Sequence, residues 1–213
     1  MTTTRRKFIS LAVPTMVLLP EFAEARQSCQ SGLQAKVCTS EVALTDIVYA
    51  AQRMSQWCWA ASASMVFSVY GYSVPQEQIV EAVFGRLVNL PAFNTQILSQ
   101  LLSRRWTDVH GRQFECRIAG LYDAYTGVGA IDNWTIVSAL TAGKPLFYCN
   151  TSHAMVLTAV VYQTSPMGMM LINAGFVDPY PGIGPRGASP AEMYPVPAGG
   201  AMTYLALPEV RRV

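Results

Sequence analysis

Histidine is almost missing from this 213-residue chain, with only His110 and His153 present. Any histidine-dependent chemistry has to use one of the two. Neither stands at zinc-ligand spacing and there is no CxxC pair, so the sequence argues against a zinc site and calls for no metal. Charge is also scarce, at 13% of residues against 51% hydrophobic, which excludes an intrinsically disordered chain. Neither sign dominates: 15 Lys and Arg against 13 Asp and Glu leave a net charge of +2. No basic cluster lies outside the N-terminus, so nothing points to nucleic acid. No apolar run approaches the about 20 residues needed to cross a bilayer. The length suits one domain.

The N-terminus reads as an export signal. Arg5-Arg6-Lys7-Phe8 is a twin-arginine pattern, followed by an apolar stretch from Ile9 to Leu19 that is too short to span a membrane. Ala23-Glu24-Ala25 supplies a small-x-small cleavage site, so residues 1–25 are expected to be removed. A periplasmic or secreted protein follows, without stable membrane insertion after cleavage. All five cysteines, Cys29, Cys38, Cys58, Cys116 and Cys149, lie beyond that site, where an oxidising compartment favours disulfides. The odd count leaves one over. Cys29–Cys38 and Cys116–Cys149, with Cys58 free, is the preferred arrangement.

The pattern along the chain indicates an α+β fold, with helices first and strands later. Residues 26–45 read as an irregular arm, and 46–213 as the main domain. A helix is expected from Cys58 to about Tyr70, stopped by Gly71. A second starts from Ser73 as N-cap, with Gln76 at the capping-box position, and ends by Gly85. Asn94 caps a third through Leu102. Asp132 to Ala142 forms a fourth. Strands are expected at Phe114–Ala119, Leu146–Asn150, Ala154–Tyr162, Met169–Val177 and Met202–Leu207. Asp178 to Pro197, dense in Pro and Gly, reads as loop. The four tryptophans, including Trp134, are assigned to the core. His110 is assigned to a surface turn, and Met167-Gly168-Met169-Met170 to a hairpin.

The informative stretch is Gln52-Arg53-Met54-Ser55-Gln56-Trp57-Cys58-Trp59-Ala60-Ala61-Ser62. A cysteine in the first turn of a helix sits where the helix dipole favours thiolate. Nucleophilic catalysis further needs a base, a group to orient it, and donors for the oxyanion. His153 is the base candidate, placed at the opening of a strand. Asp178, just after the next strand, is the preferred orienter, with Asn173 as the competitor. The Cys58 N–H and the Gln52 side-chain amide are the oxyanion donors. The plainer readings are a buried structural thiol at Cys58, an ordinary half-buried His153, and an Asp178 that only opens an Asp-Pro turn.

Gln52 and Cys58-Trp59-Ala60-Ala61-Ser62, followed by His153-Ala154-Met155-Val156-Leu157 and Asp178-Pro179, resemble the papain-like cysteine peptidases. The likeness is to the bacterial secreted-effector and bacteriocin-processing groups, and runs from about Val48 to Gly182. The resemblance implies a helical lobe bearing Cys58 packed on an antiparallel sheet bearing His153 and Asp178. It implies hydrolysis of peptide bonds through a thioester, with Gln52 in the oxyanion hole. No cofactor is implied; the partner is a protein or peptide substrate, and a monomer is expected. Two other functions stay open: acyl transfer by the same triad, and a non-catalytic binding domain of the same fold.

Overall fold

The computed structural model describes residues 26–31, 35–92 and 95–213. The expected signal segment and the expected Asn94 cap lie outside them. Among the described residues the chain forms four α-helices and ten strands joined in one antiparallel sheet. No helix among them is long and apolar enough to cross a membrane.

Helix α1, Cys58–Val69, carries alanines and large apolar residues nearly all round, so it is buried rather than amphipathic. It ends at Tyr70, and Gly71 turns the chain away at φ +80°. Helix α2, Gln76–Phe84, closes with Gly85 in the left-handed conformation. Its N-cap is Pro75, not Ser73, and no side chain caps it. The expected capping box does not form because the Gln76 side chain is used elsewhere, as described below. Helix α3 spans Thr95–Leu101. Helix α4, Asn133–Thr141, is capped by Asp132, whose carboxylate accepts the Thr135 N–H at 2.7 Å.

The strands are β1 (Arg26–Ser31), β2 (Lys36–Glu41), β3 (Arg104–Thr107), β4 (Gln113–Asp123), β5 (Val128–Ala130), β6 (Leu146–Asn150), β7 (Ala154–Ser165), β8 (Gly168–Asp178), β9 (Gly184–Gly187) and β10 (Met202–Arg212). The main sheet order is β1-β2-β7-β6-β10-β4-β3; β8 lies on the other side of β7 and carries β9. Alternation along the strands divides the core in two. Phe147, Cys149, Ala154 and Val156 pack with α1, whereas Leu146, Tyr148, Met155 and Leu157 pack with α4. A register shift between Leu157 and Ala159 changes the parity, so Val160 and Tyr162 continue the α4 side.

Four expectations are corrected here. Residues 26–31 and 36–41 are not part of an irregular arm: β1 and β2 pair antiparallel, with the disulfide Cys29–Cys38 between directly paired residues, and β2 extends the sheet along β7. Cys116 and Cys149 are buried free thiols. They lie on opposite sides of β10, Cys116 paired with Val210 and Cys149 with Tyr204. Six residues along a strand amount to about 20 Å, far beyond disulfide reach. Trp134, assigned to the core, is 59% exposed on α4. The stretch from Asp178 to Pro197 also gains structure, namely β9 and short 3-10 turns at Pro190–Met193 and Val196–Ala198.

Candidate active site

Cys58 is the first residue of α1, and no side chain caps that end. The first-turn N–H groups therefore lack both an intrahelical partner and a cap. The approach is a tight turn, with Trp57 N–H donating to Met54 O at 3.1 Å. The neighbouring indoles anchor it: Trp57 Nε1 donates to Val88 O at 2.8 Å and Trp59 Nε1 to Leu90 O at 3.1 Å. Between them, Asn89 accepts the Gln56 N–H and donates to Ser55 Oγ. Residues 55–59 are thus held on both flanks before any substrate arrives.

His153 stands one residue before β7. Its backbone N–H is held by Asn150 Oδ1 at 2.7 Å. Asp178 is the last residue of β8. Because β7 and β8 run antiparallel with Val156 opposite Val177, the start of one strand lies beside the end of the other. His153 Nε2 and Asp178 Oδ1 are 2.7 Å apart. The Cys58 thiol neighbours the ring closely enough to raise its pKa, and with Nε2 taken by Asp178 the nitrogen left for sulfur is Nδ1. Cys58 and His153 line one cavity, whose apolar wall comes from Trp59, Pro91, Ala92, Leu98, Tyr125 and Tyr204.

The electrostatics follow from these contacts. Burial alone pulls the His153 pKa down. The hydrogen bonds to Asp178 and Cys58, and the charges of both, outweigh it and hold the pKa up at about 9. Burial pushes the Asp178 carboxyl up, but His153, the Tyr180 N–H and Arg186 hold it down at about 2. Burial drives the Cys149 thiol well above its usual range, with the neighbouring Cys58 adding to the effect. Cys116 is pushed up to about 12 by burial.

The other sequence candidates are placed differently. Gln52 is buried, and its Nε2 donates to Met54 O and Ser55 O, both at 3.1 Å, while its Oε1 has no partner. Its backbone N–H donates to Pro179 O at 2.8 Å, tying this segment to the loop after Asp178. Asn173 is exposed farther up β8, and its Oδ1 accepts the Ala174 N–H; the ring partner is Asp178. His110 sits exposed in a turn, its N–H on Asp108 Oδ1. Among the described residues, no group of three or more His, Cys, Asp or Glu side chains is placed to hold a metal ion.

A model of the family described as papain-like cysteine protease AvrRpt2 matches residues 41–188. The chain belongs to this family of papain-like cysteine proteases. Neither a curated protein nor a solved structure matches it. The matched span takes in Gln52, Cys58, His153 and Asp178, and so covers the whole cluster of the protease just described.

Sequence reasoning missed several residues around this papain-like site. Gln76 is buried under the Gln52 segment, accepting the Arg53 N–H at 3.0 Å and donating to Ala51 O at 2.8 Å. Arg186 reaches Asp178 through Nε at 2.9 Å. Glu192 holds Arg186 from the far side. A signal for the last two was present: between Asp178 and Glu209 they are the only charged side chains in the sequence.

Proposed function

We propose that the chain is an exported peptidase in which Cys58 is the nucleophile, His153 the general acid and base, and Asp178 the group that orients His153. The Cys58 sulfur attacks the amide carbonyl carbon, and the carbonyl electron pair moves onto oxygen. The Cys58 backbone N–H at the uncapped start of α1 and the Gln52 amide receive that oxyanion. For Gln52 this requires trading a bond to Met54 O or Ser55 O for one to substrate. The tetrahedral species collapses, and His153 passes its proton to the leaving amine. Water, deprotonated by His153, then cleaves the thioester. The observation that carries the reading is the 2.7 Å His153–Asp178 bond facing the cavity that Cys58 also lines. The twin-arginine segment and the disulfide Cys29–Cys38 support export.

Alkylation of the thiol tests it directly. Between pH 4 and 9, iodoacetamide is expected to label Cys58 rapidly and alone below pH 7. Cys58→Ala should abolish the labelling, and His153→Ala should slow it at least tenfold. A peptide library should be cleaved by the wild type and not by Cys58→Ala. Labelling that rises only near pH 8.5, the ordinary thiol range, together with no cleavage, would leave a binding domain that has kept the fold.

A further inference from the structure

Arg186 and Glu192 sit just outside the reacting groups, and their bonding is complete. Arg186 lies on β9 opposite Phe176, its guanidinium 5.5 Å from the ring centroid. Nε donates to Asp178 Oδ2, the oxygen that His153 does not use. Nη1 and Nη2 donate to Glu192 Oε2 and Oε1 at 2.9 and 2.7 Å. The remaining protons go to Gly187 O at 3.0 Å and Met155 Sδ at 2.8 Å. All five guanidinium N–H groups are therefore in use, a set that the three of a lysine cannot supply. Glu192 is 8% exposed and also accepts the Ser189 N–H and Asn150 Nδ2. Asn150 in turn accepts the His153 backbone N–H. The bonds run in a closed ring, from the His153 imidazole through Asp178, Arg186, Glu192 and Asn150 back to the His153 main chain.

A guanidinium against Asp178 competes with the imidazolium for one carboxylate. Left alone it would weaken the hold of Asp178 on His153 and repel the protonated ring. Two bonds from Glu192 prevent this by neutralising it at the point of contact. We infer that Arg186 and Glu192 act as one positioning unit for the Asp178–His153 pair: Arg186 fixes the carboxylate, and Glu192 cancels the guanidinium so that Asp178 keeps its charge for His153. The inference rests on the proposed role of His153. The charged or titratable groups facing the ring are Cys58 from α1 and Asp178 from β8. Behind them stand Cys149 on β6, Arg186 on β9 and Glu192 in the 3-10 turn.

With two histidines in the chain, the imidazole of His153 can be titrated by NMR, using His110→Gln for assignment. Glu192→Gln keeps the shape and removes the charge. It is expected to lower the His153 pKa by about one unit, a tenfold change in proton affinity. Arg186→Gln/Glu192→Gln removes the pair without net charge, and is expected to return His153 to the wild-type value or above. This double variant leaves no unpaired buried charge, so it decides the question even where Glu192→Gln does not fold: a His153 pKa below the wild type overturns the inference. An unchanged pKa in folded Glu192→Gln also overturns it, and leaves the catalytic reading intact when wild-type His153 titrates high. Wild-type His153 titrating near 6.5 overturns the ion-pair reading and this inference together.

Discussion

Asp178 and His153 each hold the other in its charged form, so stability should follow both titrations. The His153 pKa is raised from 6.5 to about 9. Its contribution is full below pH 6.5 and disappears as pH rises through 9. The Asp178 pKa is lowered from 3.8 to about 2. Its contribution is full above pH 3.8 and disappears as pH falls through 2. Both describe one interaction, complete only between about pH 4 and 6.5. Asp178→Asn should therefore lower the Tm most within that window, with the difference from wild type narrowing below pH 3 and above pH 9. Thermal melts across pH check this, and a difference constant with pH would mean that Asp178 serves only as a turn former. At this scale the sequence was informative for Cys58, His153 and Asp178, because each is a scarce or strand-flanking residue type. For Arg186 and Glu192 it offered only their isolation as the charged pair between Asp178 and Glu209, because a Pro- and Gly-rich stretch gives no periodicity from which to infer that its charges turn inward.

Among the elements, β6, β7, β8 and β10 could be read because their apolar content is high and their bounding residues are turn formers. The hairpin of β1 and β2 could not. Arg26–Ser31 and Lys36–Glu41 are largely polar, and they become strands by pairing with one another and with β7, a contact remote in sequence. Ser73 failed as a cap for a similar reason: Pro75 already sets the extended entry to α2, and Gln76 is drawn to the backbone at Ala51 and Arg53. The hairpin also leads to a prediction. β2 meets β7 from Ala159 onward, whereas His153 lies before Ala154 at the other end of the strand. Cys29→Ser/Cys38→Ser opens a cross-link between residues nine apart in sequence, worth about 2–3 kcal/mol in the chain-entropy model. It should make residues 26–41 readily cleaved by added trypsin while leaving the Cys58 alkylation rate within twofold. A tenfold fall in that rate would show that the hairpin and the site are coupled.

For the molecule as a whole, the α+β class followed from the order of helical and strand-like segments, but the path of the sheet did not. The pairing expected between Cys116 and Cys149 failed on that path, since nothing local indicates that β10 runs between their strands. A thiol count tests the corrected arrangement. Without reductant, the denatured protein should yield three thiols, Cys58, Cys116 and Cys149, and the native protein one. A denatured count of one would restore the discarded cross-link. The position of β10 has a further consequence, in the order of synthesis. Cys58, His153 and Asp178 all precede it in the chain, yet it lies between β6 and β4 and pairs with both. While the chain is being made, Cys58, His153 and Asp178 leave the ribosome before the strand that joins the two parts of their sheet. Tyr204 on that strand also forms part of the wall of the cavity that Cys58 and His153 line, so the cavity is complete only once residues 202–212 have emerged.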